Sequence, residues 1–159
     1  MNSVKRKQPA GVWAALLAAI LALVSVIVYQ VNISSAGYFQ NAAVTNQILY
    51  SVLAIVMLVV VVVLAQVKAA GAAGTVVELI SGLLQIAVPV LLTLCLVNLI
   101  AARAEGLGFI YFSNADVLLE VQTPANLSSA TGTIANMVLL GVAVLVSMVA
   151  AFFRTARKA

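Results

Sequence analysis

The polar side chains that could do chemistry inside a membrane are few, and the best-ordered set falls on the third apolar segment. Gln85, Pro89 and Thr93 share one helical face with Glu78 and Gly82, within roughly 80° at 100° per residue. An amide, a hydroxyl and backbone freed by proline could contact a neutral solute or a neighbouring helix. Proton coupling normally needs an ionisable residue in the membrane core, and the segments offer none there. The sequence therefore makes Gln85, Pro89 and Thr93 a candidate intramembrane polar face and argues against proton-driven transport.

A second set of polar side chains follows the third segment. Asp116 and Glu120 lie one helical turn apart and could bind a cation or a basic partner. The alternative is the solvated face of a short helix, which we favour because two carboxylates lack the several oxygen ligands that calcium takes. Together with Phe109, Tyr111 and Phe112 they form a candidate outer recognition segment, without a metal site.

Catalytic chemistry has no support in the chain. There is no histidine, Cys95 is the only cysteine, and no serine, cysteine or lysine has a base nearby in the sequence. No glycine-rich phosphate loop follows a strand. The net charge of +4 comes from basic residues at segment ends rather than from one patch, which argues against nucleic acid. We expect a non-enzymatic protein without cofactor or metal.

The composition, 65% apolar and 8% charged residues, is that of an integral membrane protein. Apolar segments cover residues 10–29, 48–67, 79–102 and 134–153, each about 20 residues or more, enough to cross about 30 Å of hydrocarbon. A single segment in lipid can satisfy its own backbone hydrogen bonds only as a helix. The sequence predicts an all-α, up-down four-helix transmembrane bundle, with residues 1–159 as a single domain.

The basic residues predict the orientation. Seven of the eight flank one side of the predicted spans: Lys5, Arg6, Lys7, Lys68, Arg154, Arg157 and Lys158. The other side receives only Arg103, so both termini should be cytoplasmic, in a plasma (inner) membrane. The first segment could instead be a secretory signal. Its apolar run of about 18 to 20 residues exceeds the 7–15 of such signals, so we expect it to be retained.

The connection between the third and fourth segments predicts a short interfacial or extracytoplasmic helix. Residues 106–112 are too apolar for a free loop and too few to span, so we expect them to lie along the outer interface or to pack on the helix ends. The stretch 113–116 resembles a capping box that opens the short helix. Thr123 followed by Pro124 is a second start signal, which predicts that the fourth helix begins near Pro124.

Small residues mark the faces on which helices should pack. They allow close approach, and serine or asparagine adds hydrogen bonds. On the first segment these are Ala14, Ala18, Ala22 and Ser25, and on the fourth Asn136, Ala143 and Ser147. We expect segments one, three and four to face one another and segment two to contact more lipid.

These features favour an accessory or scaffold subunit that acts through helix–helix and outer-loop contacts. Its partners would be the lipid bilayer and another membrane protein or further copies of itself. The alternative is a small facilitator or transporter for a neutral or lipophilic solute that uses the Gln85–Pro89–Thr93 face.

Overall fold

The computed structural model describes residues 9–67 and 71–153, and within these ranges the chain is helical without any strand. Four helices are long and apolar enough to cross a membrane. The helices in chain order are α1 (Ala10–Ser34), α2 (Gln47–Leu64), α3 (Gly71–Phe112), the short α4 (Ala115–Val121) and α5 (Pro124–Phe152). The seven basic residues behind the orientation prediction lie outside the described residues.

Each long helix packs against two others: α1 and α3 each contact both α2 and α5. The interfaces combine small residues with aliphatic ones. Ala18, Ala22 and Ala143 are fully buried, as are Leu58 and Leu92. Small side chains let helices approach closely without a cavity, which is the main source of helix association in a membrane. α2 therefore contacts two helices, as the others do, and its share of buried residues is close to theirs.

Paired polar side chains show that α1 and α5 run antiparallel. The Ser25 hydroxyl donates to Asn136 Oδ1 at 2.5 Å, and Asn32 Nδ2 donates to the Ser129 carbonyl at 2.7 Å. From Ser25 to Asn32 the α1 residue number rises by seven, while the number of the paired α5 residue falls by seven, from Asn136 to Ser129. We call the end where α1 begins and α5 ends the terminal end. The loop end is the opposite one, where residues 35–46 join α1 to α2 and α4 lies between α3 and α5.

α3 is much longer than the predicted 79–102 segment, with 42 residues or about 63 Å. It continues past Arg103, so residues 106–112 are its last two turns. The sequence predicts that this stretch lies along the outer interface or packs on the helix ends; it is in fact the end of α3 itself. Its apolar character has another reason: Ile110 is fully buried and packs with Phe39 and Ala130. A continued helix satisfies the backbone while it supplies this contact.

The helix starts around α4 differ in how well the sequence predicts them. Ser113 does not cap α4, because its hydroxyl donates back to the Phe109 carbonyl at 2.7 Å. Asn114 is the N-cap instead and accepts from the Val117 amide at 3.0 Å. α5 begins at Pro124, and the Thr123 hydroxyl accepts from the amide two residues beyond Pro124. The predicted start of this helix is confirmed.

Candidate functional site

The loop end is closed by residues 35–46, which fold back onto the helices; we call this segment the loop-end cap. Its centre is Phe39, which is buried against Ile110 of α3 and Ala130 of α5. The Phe39 amide donates to Ser129 Oγ at 3.2 Å. A polar, uncharged connection therefore inserts one aromatic ring between two helices, and this insertion fixes the middle of the cap.

Arg103 lies against the inserted ring. Only 3% of its surface is exposed, and its Cζ is 4.6 Å from the centroid of the Phe39 ring. One terminal nitrogen donates to the Ala42 carbonyl, and the buried Nε has no partner. A guanidinium stacked on an aromatic face is stabilised by the ring quadrupole. The side chain thus joins α3 to two points of the cap through uncharged partners.

Gly106 makes room for this arrangement one turn after the arginine. A Cβ built there would lie 2.6 Å from Phe39 Cε1 and 2.7 Å from Tyr38 Cε1. Real Cβ atoms do not approach carbon so closely. The two rings meet edge to face, with centroids 5.2 Å apart. Glycine is therefore required here for space, because the cap rests directly on the α3 backbone.

Hydrogen bonds also hold the chain before and after Phe39. Asn32 on α1 donates to the Ser129 carbonyl and accepts from the Thr133 hydroxyl at 3.2 Å. Near the start of α2, the Val44 amide donates to the Tyr29 hydroxyl at 2.6 Å. Hydrogen bonds to otherwise buried groups restrict the backbone because an unpaired group would cost free energy. Residues 35–46 are therefore held at Phe39 and at Val44, and Asn32 holds the end of α1 that leads into them.

Glycines allow α1 and the cap to approach α5. A Cβ on Gly132 would lie 2.5 Å from Asn32 Nδ2, and one on Gly37 would lie 2.6 Å from Ser129 Cβ. Gly37 also has φ +144°, a conformation that L side chains rarely adopt. Gly132 of α5 therefore leaves room for the Asn32 amide, and Gly37 of the cap leaves room for Ser129 of α5.

The candidate recognition segment is spread over two helices at the loop end. Phe109 faces Tyr38, with ring centroids 6.0 Å apart, and the Tyr111 and Phe112 rings are 6.5 Å apart. Phe112 is 87% exposed, and so is Leu119 of α4 at 86%. Asp116 and Glu120 are exposed on α4, one turn apart. The segment therefore combines exposed apolar side chains with two carboxylates, beside the cap.

The structure separates the candidate intramembrane polar face. Gln85 is buried, and its amide donates to Ser81 Oγ at 3.1 Å. Pro89 and Thr93 instead line a groove between α3 and α5. The groove, of about 500 Å³, is also lined by Ile86, Met148, Ala151 and Phe152. Because Phe152 ends α5, this α3–α5 groove lies near the terminal end rather than at the middle of α5. Gln85 does not line it.

The predicted packing residues lie at the contacts within the chain. Ala18, Ala22, Ser25, Asn136, Ala143 and Ser147 are buried, and Ala14 is partly exposed while its neighbour Ala15 is fully buried. α1 and α5 are in direct contact, whereas α1 and α3 are not principal neighbours. These small-residue faces are therefore occupied by the chain itself, and a partner would have to contact other surfaces.

Sequence reasoning missed the residues that build the cap: Phe39, Arg103 and Gly106. In the sequence Arg103 serves only as an orientation signal, and Phe39 has no predicted role. The usable signal in the sequence was Gly106, since a glycine on an apolar helix allows another chain segment to approach closely. Its partner in a distant loop could not be identified from spacing.

Cys95 and Gln47 form a small buried polar contact between α2 and α3. The Cys95 Sγ lies 3.3 Å from Ser51 Oγ and 3.6 Å from the Gln47 carbonyl oxygen.

No group of three or more histidine, cysteine or acidic side chains comes together within residues 9–67 and 71–153. Comparison with protein-family models, with curated proteins and with solved structures finds no match.

Proposed function

We propose that this chain is a non-enzymatic, multi-pass membrane protein that acts as an accessory or scaffold subunit. The four long helices form an up-down transmembrane bundle. In the sequence, seven basic residues adjoin the start of α1, the end of α5 or the α2–α3 connection, and this distribution favours cytoplasmic termini. The loop end would then be the outer one. α4 then lies at or outside the outer interface. The four apolar helices support the membrane assignment.

The proposed function rests on the exposed apolar surface at the loop end. Phe112 and Leu119 are almost fully exposed, on helices that are joined to the cap. In a membrane-spanning helix such side chains would be covered by lipid, but Leu119 belongs to a seven-residue helix whose Asp116 and Glu120 are also exposed. Carboxylates are unfavourable in hydrocarbon. An apolar surface with an acidic rim is better matched by a protein partner with basic groups around an apolar centre.

Co-purification from native membranes tests this role. The variant Phe112→Ser/Leu119→Ser removes the exposed apolar surface, and Leu145→Ser is the matched control because Leu145 is exposed on α5, away from the loop end. We expect a complex of defined mass with the native chain and the control, and its loss in the double variant. A native chain that is strictly monomeric and enriches no partner would exclude the proposal, as would a complex unaffected by the double variant.

The α3–α5 groove favours a second candidate, a facilitator for a lipophilic solute. Thr93 is the polar side chain that lines this open, largely apolar groove. If solute moved along it, Thr93→Val should change flux in proteoliposomes, whereas Gln85→Leu should not, because Gln85 does not line the groove. Unchanged flux in Thr93→Val would exclude this site.

A further inference from the structure

Arg103 is a buried cation whose hydrogen-bonding capacity is only partly used. Among residues 9–67 and 71–153 it is the only lysine or arginine, and its side chain is buried. Its two direct contacts there are uncharged, the Phe39 ring and the Ala42 carbonyl. Glu105, the acidic residue nearest in the sequence, is exposed. A guanidinium stays protonated when it is buried, and a buried charge is costly unless it is paired, so an anion would stabilise this position.

The unused donor lies on the edge of the guanidinium that suits an oxyanion. Nη2 donates to the Ala42 carbonyl, while Nε on the same edge has no partner among the described residues. The N–H bonds of these two nitrogens are parallel and match the two oxygens of a carboxylate. A single carbonyl oxygen satisfies one of the two donors. The Ala42 carbonyl thus fills half of a site that a carboxylate would fill completely.

Residues 42–45, which carry that carbonyl, are held against the helices by two polar contacts. One is the contact of the guanidinium with Ala42, and the other is the hydrogen bond from the Val44 amide to the Tyr29 hydroxyl at 2.6 Å. The flanking residues Asn41 and Asn46 have left-handed backbone conformations, with φ +58° and +60°. Asparagine adopts this conformation more readily than most L residues. Alternate residues of the stretch are exposed, so it can move outwards without unpacking a helix.

We propose that Arg103 binds a carboxylate group, which enters from the loop end and takes the place of the Ala42 carbonyl. The single positive charge matches one carboxylate, whereas a phosphate dianion would leave excess negative charge in the interior. A soluble organic acid and a fatty acid both present this group. The site uses none of the exposed side chains on which the proposed accessory role rests, so a failure of one role leaves the other intact.

Nuclear magnetic resonance of the full chain in detergent micelles, with isotope-labelled arginine, tests the site. The Arg103 Nε–H signal is assigned by its absence in Arg103→Lys. We expect a saturable shift of this signal with sodium acetate and none with acetamide, which has a similar shape without the charge. Chloride should bind at least about tenfold more weakly, because one ion matches the two donors less well. No saturable shift with acetate, or equal affinities for acetate and chloride, would overturn the proposal.

Two variants distinguish binding from a purely structural role of the arginine, with the acetate dissociation constant taken from line broadening of labelled acetate. Arg103→Lys keeps the charge but lacks the two-pronged edge, so affinity should fall by about tenfold or more. Tyr29→Phe removes the second contact that holds residues 42–45 and should raise affinity by about fivefold, the equivalent of one hydrogen bond. Gly108→Ala, which has open space around the new Cβ, is the control and should change nothing.

The outcomes of these variants bear on different parts of the site. Unchanged affinity in Arg103→Lys would overturn the carboxylate site, and unchanged affinity in Tyr29→Phe would overturn the displacement of residues 42–45. Laurate in place of acetate identifies the source of the carboxylate. Tighter binding of laurate that is lost in Arg103→Lys assigns the site to a fatty acid, and binding no tighter than that of acetate assigns it to a soluble organic acid.

Discussion

The substitution Gly106→Ala should destabilise the protein, although alanine is the better helix former. The new Cβ would lie 2.6 Å from Phe39 Cε1 and 2.7 Å from Tyr38 Cε1, against 3.4–4 Å for ordinary contacts. Each ring must therefore retreat by about 1 Å. Tyr38 is exposed and can move, but Phe39 is buried between α3 and α5 and stacks on Arg103. The strain falls on the buried ring.

The magnitude follows from two opposing terms. Overpacking of a filled site costs about 1–3 kcal/mol, while replacing glycine by alanine in a helix gains up to about 1 kcal/mol. Gly108, two residues further along α3, has no atom within 4 Å of a built Cβ, so Gly108→Ala keeps only the gain. We expect Gly106→Ala to be less stable than Gly108→Ala by about 1–3 kcal/mol.

Detergent-induced unfolding followed by circular dichroism measures this difference with both variants in the same micelles. The double variant Gly106→Ala/Phe39→Leu should recover part of the loss, since the smaller side chain leaves space for the new methyl group. If Gly106→Ala is as stable as Gly108→Ala, the cap does not rest on the α3 backbone and the packing described for Phe39 is wrong.

Three further results are expected. A double-mutant cycle of Ser25→Ala and Asn136→Ala should give a coupling of about 0.6 kcal/mol, up to about 1.7, in unfolding experiments, and zero coupling would contradict the hydrogen bond between them. Arg103→Lys should lower stability by about 1 kcal/mol, because an ammonium group lacks the planar face that stacks on the ring; an unchanged unfolding midpoint would argue against the stack. A membrane-impermeant maleimide should label Gln40→Cys in intact cells and Ala73→Cys only after permeabilisation, and the reverse pattern would invert the proposed orientation.

The sequence predicted the four long apolar helices because span length depends on a local property, the run of residues without charge. The start of α5 at Pro124 was predictable for a similar reason, since a cap residue followed by proline acts within one turn. The length of α3 could not be predicted in this way. A hydropathy criterion ends that span at Arg103, yet the helix continues because the arginine is buried under the cap.

The candidate site was predictable only in part. The rings at the end of α3 and the carboxylates of α4 could be selected from the sequence. Their relation to residues 35–46 could not, because it depends on Phe39 entering the space that Gly106 leaves. That contact joins residues far apart in the sequence and depends on shape complementarity, which has no periodic signal.

The central claim is that residues 35–46 are already packed on the helices before any partner binds. Hydrogen–deuterium exchange of the chain in lipid nanodiscs tests it most directly. The amides of Phe39, Asn41 and Val44 each have an acceptor within the chain. We expect all three to exchange at least about 100-fold more slowly than in an unstructured peptide. Exchange at the unstructured rate across residues 35–46 would contradict the claim, because the loop end would then present no preformed surface.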